Sequence, residues 1–494
     1  AMLAMAATIA VVYPHMNGIG GDGFWTIREP GGRVRVIEAC GYAGAKATIA
    51  GYRDAGHDII PRRGPQAALT VPGAVGGWVL AQEFAKAIGG KLPASVLLHD
   101  AVEKARGGYR QSRSEARYKH REAEMLYAAP GFATQFFVDG KIPAAGEARR
   151  NEKLGDTLAH LADAGFADFY RGDVSREIAT DLERIGSPVT REDLARYAAV
   201  LRDPLTLALP GRMQINTPPP TVGLISLVTL GLFERLGVAR AETFEHIHGL
   251  VEASKRALAL RDMACVDFDM KRPDPASFLT ATFLDRQAAK IDVKRAAGWP
   301  LAPEEGDTIW MGAIDGNGLA VSYIQSLFWE YGSGCVLPST GILLQNRGVS
   351  FSLDPAHPNA LQPGKRTMHT LNAPLAVFDD GRVMSYGSMG GDGQPQFQAQ
   401  IFSRYMYSRD VAGSIDAPRF RFDKAWGAPR ATLKLESRFD PSLVSRLESA
   451  GHAIEMTGLA YGDSFGHAGM LVRSRDGRIE ATHDARGDGG AEGI

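Results

Sequence analysis

The sequence has very little cysteine. Its 494 residues include three cysteines, Cys40, Cys265 and Cys335, which lie far apart in the chain. An odd number of scattered cysteines argues against a disulfide framework and against a cysteine-rich metal site. We therefore expect buried thiols and a fold stabilised by an ordinary hydrophobic core, since 45% of the residues are hydrophobic.

The sequence also lacks an excess of charge of either sign. Its 55 lysine and arginine residues nearly balance its 56 aspartate and glutamate residues. A balanced chain has no overall field that would attract nucleic acid or an anionic membrane surface. We expect a small-molecule partner instead, with no nucleic acid and no membrane.

Long hydrophobic runs are missing as well. Residues 1–13 are apolar, but they are too short to cross a bilayer and have no basic residues before them. We therefore expect a cytoplasmic location. The first residue is Ala1, so the sequence leaves open a signal peptide upstream of it.

Two glycine-rich motifs invite functional interpretations. Gly18, Gly20 and Gly23 match the G-x-G-x-x-G pattern of dinucleotide-binding loops, but such a site needs a helix directly after the glycines. Residues 24–37 predict a β-hairpin there, so we expect a structural turn and no cofactor. The tetrapeptide Gly-Gly-Asp-Gly also occurs twice, at 20–23 and 390–393, in surroundings too different for an internal repeat.

A short cluster in the middle of the chain resembles a metal site. His246, His248 and Glu252 lie on a predicted helix, and the last two are four residues apart on one face. No further histidine or carboxylate follows at ligand spacing. We therefore predict hydrogen-bonded helix residues and no metal.

A β-hairpin is predicted around Thr308. Residues 308–314 are a β-prone apolar run, residues 315–318 (DGNG) tolerate the positive φ of a tight turn, and residues 319–324 form the return strand. A charged, proline-containing segment precedes the hairpin, so the bond between Asp307 and Thr308 is a candidate cleavage site. Cleavage would give Thr308 a free α-amine with a pKa of about 7.7–8.0, able to take the proton of its own hydroxyl.

A strand that ends in glycines is predicted at 383–393, followed by a helix near 396–407. Such a passage directs backbone N–H groups at a ligand beyond the strand end. The N–H groups of Gly390 and Gly391 therefore suit an oxyanion, and one such donor is typically worth about 10²–10³ in rate. Spacing alone leaves a plain structural hairpin at Thr308 as an alternative.

Ordered motifs across nearly the whole chain resemble the γ-glutamyltransferase family of N-terminal nucleophile hydrolases. The motifs are residues 14–24 (PHMNGIGGDGF), 71–73 (VPG), 170–172 (YRG), 218–223 (PPPTVG), 248–255 (HGLVEASK), 341–346 (GILLQN) and 387–391 (GSMGG). The resemblance implies an α+β fold, a four-layer αββα sandwich. It also implies self-cleavage into a large subunit, 1–307, and a small subunit, 308–494, which form one composite domain and further homo-oligomers.

The resemblance assigns the parts of an acyl-transfer site. Thr308 falls on the processed nucleophile, residues 341–346 on a strand, and Gly390 and Gly391 on the oxyanion hole. The second active-site threonine of the family is replaced by Ser326, just past the predicted return strand. This serine keeps a hydroxyl that is able to bond the Thr308 amine.

The residues that would hold a glutamyl substrate depart from the family pattern. In the family, one segment carries an arginine that binds the α-carboxylate of the substrate, and residues 40–44 (CGYAG) stand in its place here. A carboxylate that binds the α-amino group of the substrate is replaced by Ser350. Arg347 replaces the pocket glutamine, and Phe328 replaces an asparagine. The substrate-contacting serine pair becomes residues 369–370 (HT). Neither charge of a zwitterionic glutamyl end finds its partner.

The rewritten pocket resembles the branch of the family that includes oxamate amidohydrolase. We expect Arg347 or His369 to bind the carboxylate of a small amide, with Thr370, Asn346 and Tyr42 completing the substrate-binding set. Other interpretations are a γ-glutamyltransferase or glutathione hydrolase with a rebuilt pocket, and a glutaryl- or cephalosporin-type acylase. From a different class, the chain could be an unprocessed, inactive relative that serves as a binding protein.

Overall fold

The computed structural model describes residues 1–267, 273–298, 306–423 and 431–493. The α-helices are α1 Met2–Val12, α2 Ile49–Asp54, α3 Ala74–Ala87, α4 Ala94–Gly107, α5 Arg113–Tyr127, α6 Phe132–Phe136, α7 Glu152–Ala164, α8 Asp168–Arg171, α9 Asp173–Ile185, α10 Arg191–Arg196, α11 Gly223–Arg235, α12 Phe244–Leu258, α13 Arg261–Ala264, α14 Ala281–Ala288, α15 Gln394–Ser408, α16 Val411–Asp416 and α17 Pro441–Ser449. Short 3₁₀ helices cover Pro275–Leu279, Arg347–Ser350, Gly391–Gly393 and Asp463–Phe465.

The β-strands come from both halves of the chain. They are β1 Asp22–Arg28, β2 Val34–Ala39, β3 Tyr109–Arg110, β4 Ala148–Arg149, β5 Val200–Arg202, β6 Leu205–Leu209, β7 Arg212–Asn216, β8 Asp307–Ile314, β9 Ala320–Phe328, β10 Leu375–Phe378, β11 Val383–Ser388, β12 Phe420–Asp423, β13 Thr432–Leu435, β14 Ile454–Met456, β15 Ala468–Arg473 and β16 Ile479–His483.

Two larger sheets each combine early and late strands. Over the described ranges, the first has the order β5-β2-β1-β9-β8 and the second the order β16-β15-β11-β10-β7-β6, with antiparallel neighbours throughout. The strands before and after the predicted cleavage site are therefore hydrogen-bonded to one another in both sheets. Neither segment can form these sheets alone.

The two sheets pack against each other, with Trp310 of β8 between them. β8 contacts β11 and β15 of the second sheet. The Trp310 indole lies over two positions without side chains, Gly387 and Gly469, and its Nε1 donates to Ser322 Oγ at 2.9 Å. A large aromatic group thus fills the space between the sheets without an unpaired N–H.

Helices cover the outer faces of the sheets. The first sheet is packed by α3 and α1, and the second by α11 and α15. Helix α11 is buried along nearly its whole length, which fits its apolar sequence (GLISLVTLGLFER). Two large clusters of buried apolar side chains correspond to these two helix and sheet layers. The fold is a mixed α+β structure.

The structure confirms the predicted hairpins and corrects two local expectations. Strands β8 and β9 form the hairpin at Thr308, and β1 and β2 form the hairpin that follows the first glycine motif. The return strand, however, continues to Phe328, so Ser326 lies within β9 rather than past it. Residues 341–346 make isolated bridges to Val336 and Gly20 and do not form the expected strand.

No helix in the described ranges is both long and apolar enough to cross a membrane.

The glycine motif at 18–23 serves close packing of the backbone. A Cβ built on Gly21 would clash with the carbonyl oxygen of Ser326, and one built on Gly20 would clash with the carbonyl oxygen of Leu343. The Gly21 carbonyl also accepts hydrogen bonds from the backbone N–H groups of Gly73 and Ala74, at 2.8 and 2.9 Å. Gly21 therefore lets the chain before β1 approach β9 closely, and Gly20 does the same for the segment at Leu343.

We expect Gly21→Ala to destabilise the fold. The added methyl group meets backbone rather than a movable side chain, and overpacking of this kind typically costs about 1–3 kcal/mol. The matched control is Gly107→Ala in α4, where no atom lies within 4 Å of the new Cβ. Thermal unfolding should show a lower Tm for the first variant and an equal or higher Tm for the second. Equal Tm values for Gly21→Ala and the unsubstituted protein would contradict this account.

Candidate active site

Thr308 lies at an irregularity in the pairing of β8 with β9. Asp307 is opposite Phe328, but Ile309 is opposite Gln325, so β9 contains one residue more than β8 between these pairs. A bulge of this kind re-aims the side chains beside it, and bulges are common next to active sites. Thr308 is buried, with 1% of its surface exposed.

Two residues of β9, Ser326 and Leu327, face Thr308 across this bulge. The Ser326 hydroxyl accepts a hydrogen bond from the backbone N–H of Phe328 at 2.7 Å. On its other edge β9 pairs with β1, which sets Ser326 opposite Asp22. The structure thus sets Ser326 across from Thr308 and places a buried carboxyl group next to it.

The glycine loop after β11 lies against the segment that precedes Thr308. Gly390 and Gly391 have φ values of 121° and 54°, in the region that favours glycine. A Cβ built on Gly306 would lie 3.5 Å from Cα of Gly391. The predicted oxyanion glycines therefore border the predicted cleavage site.

Arg347 is held between an aromatic ring and a hydroxyl group. It begins the 3₁₀ helix Arg347–Ser350 and is 1% exposed. Its Nη2 donates to Thr370 Oγ1 at 3.0 Å, and its Cζ lies 3.5 Å from the centroid of the Phe328 ring. The guanidinium is thus positioned by a cation–π contact on one side and a hydrogen bond on the other.

His369 and Asp22 form a buried pair beside this arginine. His369 Nε2 lies 3.1 Å from Asp22 Oδ2. The other carboxyl oxygen, Oδ1, accepts from the backbone N–H groups of Gly41 and Gly73 and from Gln345 Nε2, each at 3.0 Å. Four separate segments of the chain therefore contact this one carboxyl group.

The charge of this pair is reduced by burial. Desolvation raises the pKa of Asp22 from 3.8 to about 7, against the opposing effect of its hydrogen bonds. Desolvation, and then the nearby Arg347 charge, lower the pKa of His369 well below its usual value. His369 is therefore uncharged at neutral pH. Of the two residues expected to bind a carboxylate, Arg347 provides the positive charge.

Two other predicted substrate-binding residues make structural hydrogen bonds. The Tyr42 hydroxyl donates to the Asp193 carbonyl at 2.7 Å. Asn346 Oδ1 accepts from the N–H of Trp329 at 3.2 Å, and its Nδ2 donates to the carbonyl of Arg62 at 3.0 Å. Asn346 thereby fixes the chain just after β9. Ser326 lies across from Thr308, and Asp22, opposite Ser326, contacts His369. Arg347 contacts Thr370 and the ring of Phe328, the residue paired with Asp307.

The histidine cluster on α12 gains a member that sequence spacing did not reveal. His452 joins His248 and Glu252, with one potential ligand atom of each within 4.8 Å of the others, which corrects the expectation that no further histidine lies nearby. The group is already internally bonded. His248 contacts His452 Nε2 at 2.9 Å and the Asp292 carbonyl at 2.8 Å, and Lys255 Nζ donates to Glu252 at 2.7 Å. The ammonium group opposes a metal cation there.

The aspartates of both Gly-Gly-Asp-Gly motifs border the site. Asp22 meets His369, and Asp392, directly after the glycine loop, forms a buried ion pair with Arg261. A cavity of about 200 Å³ adjoins this ion pair. Its lining includes Arg261, Ser350, His357 and Asn359. The repeated tetrapeptide is visible in the sequence, but its spacing does not indicate that its two aspartates lie at the site.

These features define a class of enzyme. A buried threonine at the start of a strand, a serine hydroxyl across the bulge and a positive-φ glycine loop are the parts of an amide hydrolase with a threonine nucleophile. The chain belongs to the γ-glutamyltranspeptidase family, whose model matches residues 1–494. The predicted family resemblance is confirmed, and the protein is an enzyme that acts on amide bonds.

Similar proteins support this assignment. The chain is 46% identical over 495 residues to an oxamate amidohydrolase proenzyme of Klebsiella pneumoniae, covering 100% of this chain and 93% of that protein. It is 35% identical to a glutathione hydrolase-like proenzyme of Bacillus subtilis, covering 100% and 93%. Among solved structures, a cephalosporin acylase from Bacillus halodurans superposes with a TM-score of 0.88 at 28% identity, covering 100% of this chain and 91% of that one.

The Asp22 pKa predicts a specific dependence of stability on pH. The unfolded chain ionises Asp22 near pH 4, whereas the folded protein retains this proton until about pH 7. The contribution of Asp22 to stability is therefore fully present below about pH 4 and is lost as the pH rises to about 7. Asp22→Asn, which keeps an acceptor and gives His369 a donor, should remove this dependence.

Tm measured from pH 4 to 8 tests this prediction. The Tm of the unsubstituted protein, relative to that of Asp22→Asn, should fall as the pH rises. Asp163→Asn at an exposed position of α7 is the matched control and should give a curve parallel to that of the unsubstituted protein. Parallel curves for Asp22→Asn and the unsubstituted protein would show that burial does not shift this pKa.

Proposed function

We propose that the chain is a precursor that cleaves itself between Asp307 and Thr308 and then hydrolyses a small carboxylate-bearing amide. The two products, 1–307 and 308–494, remain together as one four-layer αββα domain. The observation that carries this proposal is the position of Thr308, buried in the bulge of β8 and β9 with the Gly390–Gly391 loop beside the preceding segment. The shared sheets explain why the products stay associated.

Self-cleavage and substrate hydrolysis use the same oxygen. In the precursor, Thr308 Oγ attacks the carbonyl carbon of Asp307; the C–O bond forms as the C–N bond breaks, and the freed amine takes the proton. Water then hydrolyses the ester. This cleavage leaves an α-amine that acts as the base for the hydroxyl of the same residue.

Hydrolysis of the substrate repeats these steps on an external amide. The amine accepts the Oγ proton while Oγ bonds to the amide carbon, and the N–H groups of Gly390 and Gly391 stabilise the oxyanion. The C–N bond breaks and ammonia leaves with the proton. Water hydrolyses the acyl ester, releases the acid and restores the Thr308 hydroxyl.

An oxamate-like substrate fits the charges of the pocket. Arg347 supplies a buried cation that a carboxylate can pair with, and Thr370 holds its guanidinium in place. The 46% identity to the Klebsiella oxamate amidohydrolase proenzyme points to the same substrate class. We assign Arg347 and Thr370 to carboxylate binding, and His369 to positioning through Asp22.

A second candidate is an acylase for longer carboxylate-bearing amides. The structural likeness to the cephalosporin acylase favours it, since the acylase structure superposes on the whole of this chain with a TM-score of 0.88. A γ-glutamyl substrate is less suited, because its α-ammonium group needs a carboxylate and Ser350 stands at the position expected for one. Ammonia or amine release from oxamate, a glutaryl amide and a γ-glutamyl anilide distinguishes these substrates.

Thr308 should be required for both cleavage and activity. On a denaturing gel we expect the purified protein to give two bands, 1–307 and 308–494. Thr308→Ala should stay a single chain and release no ammonia from oxamate, whereas Thr308→Ser should retain cleavage because it keeps a hydroxyl. Thr206→Ala, at an exposed position of β6, is the control and should behave like the unsubstituted protein.

The absence of both cleavage and amide hydrolysis would contradict this proposal. If the unsubstituted protein persists as one band on long incubation and releases nothing from any amide, the chain is an uncleaved binding protein rather than an enzyme of this mechanism.

Arg347 should determine affinity for the carboxylate. A hydrogen bond to a charged group is typically worth about 1.5–3 kcal/mol, so Arg347→Ala should raise the KM for oxamate about 10- to 100-fold. The KM for an amide of similar size without a carboxylate should rise much less. The KM of Arg347→Lys for oxamate should lie between those of the unsubstituted protein and Arg347→Ala. Cleavage at Thr308, followed on the gel, reports on folding. An equal rise in KM for charged and uncharged amides would argue against a carboxylate contact.

A further inference from the structure

The predicted oxyanion loop contains two adjacent glycines, and a glycine backbone has the widest choice of conformations. Gly390 and Gly391 adopt φ values of 121° and 54°. A hydrogen bond from the Gly393 N–H to the Gly390 carbonyl, at 2.8 Å, closes the turn. Donors stabilise an oxyanion well only when they already point at it, so a loop of this composition needs a fixed neighbour to hold its N–H groups in place.

The neighbour in this structure is Asp392, whose surface is completely buried. It lies in the 3₁₀ helix Gly391–Gly393, and its Oδ2 accepts a hydrogen bond from Nη1 of Arg261 in a buried ion pair. Asp392 directly follows Gly391 in the chain. A displacement of the ion pair would therefore also displace the backbone that carries the predicted oxyanion donors.

Arg261 is fixed to the part of the chain that precedes the predicted cleavage site. It begins the short helix α13, and its Nε donates to Asp262 Oδ1 at 2.8 Å. Its carbonyl accepts from the Cys265 N–H at 2.8 Å, and Ala264 and Cys265 are fully buried in the same apolar core as α11 and α15. The large-subunit segment thus anchors a loop of the small-subunit segment.

We propose that Arg261 and Asp392 are positioning residues that hold the Gly390–Gly391 loop in the conformation that stabilises the oxyanion. This inference rests on the function proposed above. The pair acts through the loop rather than by contact with the substrate. Its loss should therefore lower kcat for oxamate and leave the KM nearly unchanged, because the oxyanion forms only in the reaction.

Asp392→Asn and Arg261→Ala each remove one charge of the pair. A displacement of about 1 Å at a catalytic group costs about 10²-fold in rate, so each variant should lose about 10- to 100-fold in kcat for ammonia release from oxamate. Arg261→Lys keeps the positive charge and should lose less. Because both changes break the same contact, the double variant should lose no more than the more affected single variant. The cleaved fraction on a denaturing gel normalises each kcat.

Added guanidinium ion separates a positioning role from a general loss of stability. Arg261 lines the cavity of about 200 Å³ beside the ion pair, so shortening its side chain extends this cavity toward Asp392. Millimolar guanidinium chloride should raise the kcat of Arg261→Ala several-fold. Urea, which has a similar planar shape but no charge, should not.

Arg212→Ala is the matched control for the loss of a buried arginine. Arg212 forms an ion pair with Glu234, and its side chain is 8% exposed, as is that of Arg261. This variant should keep the kcat of the unsubstituted protein, and guanidinium should not raise it.

The outcomes distinguish this inference from the function on which it rests. If the unsubstituted protein releases no ammonia from oxamate, the proposed function fails and the role of the ion pair fails with it. If it hydrolyses oxamate and Asp392→Asn keeps its kcat, the proposed function stands and the positioning role is wrong. A higher KM with an unchanged kcat, or the same response of Arg261→Ala to guanidinium and urea, would also overturn the positioning role. Asp392→Asn, which preserves the size of the side chain, decides the question if Arg261→Ala does not accumulate in cleaved form.

Discussion

The pairing of β8 with β9 determines where each reacting group of the site lies. The ladder places Asp307 opposite Phe328, and the bulge that follows sets Thr308 against Ser326. On its other edge β9 pairs with β1, which brings Asp22 to Ser326. Backbone hydrogen bonds inside a buried sheet are costly to break, so a strand pair holds these groups more firmly than a loop would.

The distribution of charge follows from this arrangement. Four segments contact the Asp22 carboxyl group, and burial raises the pKa of Asp22 and leaves His369 uncharged. Arg347, stacked on the Phe328 ring, then presents a positive charge that a neutral histidine does not oppose. A site built in this way suits an anion next to a nucleophile whose own base is a neutral amine.

The sequence predicted the parts that depend on nearby residues. The hairpin at Thr308 and the glycine passage at 390–391 follow from β-prone runs and from glycines where the chain needs positive φ. The bulge was not predictable, because register depends on the partner strand. The contact of Asp22 with His369, and that of His248 with His452 across 204 positions, depend on how distant segments pack. No spacing rule reports such contacts.

Self-cleavage and substrate choice place opposite demands on the space in front of Thr308. A precursor has to pass a polypeptide through it, whereas a short substrate is selected only if the space is small. Gly306, two residues before Thr308, meets the first demand, because a side chain at this position would clash with the Phe328 ring and touch Gly391. The Phe328 ring and the Gly391 backbone thus leave room for the chain that leads to Asp307 and Thr308.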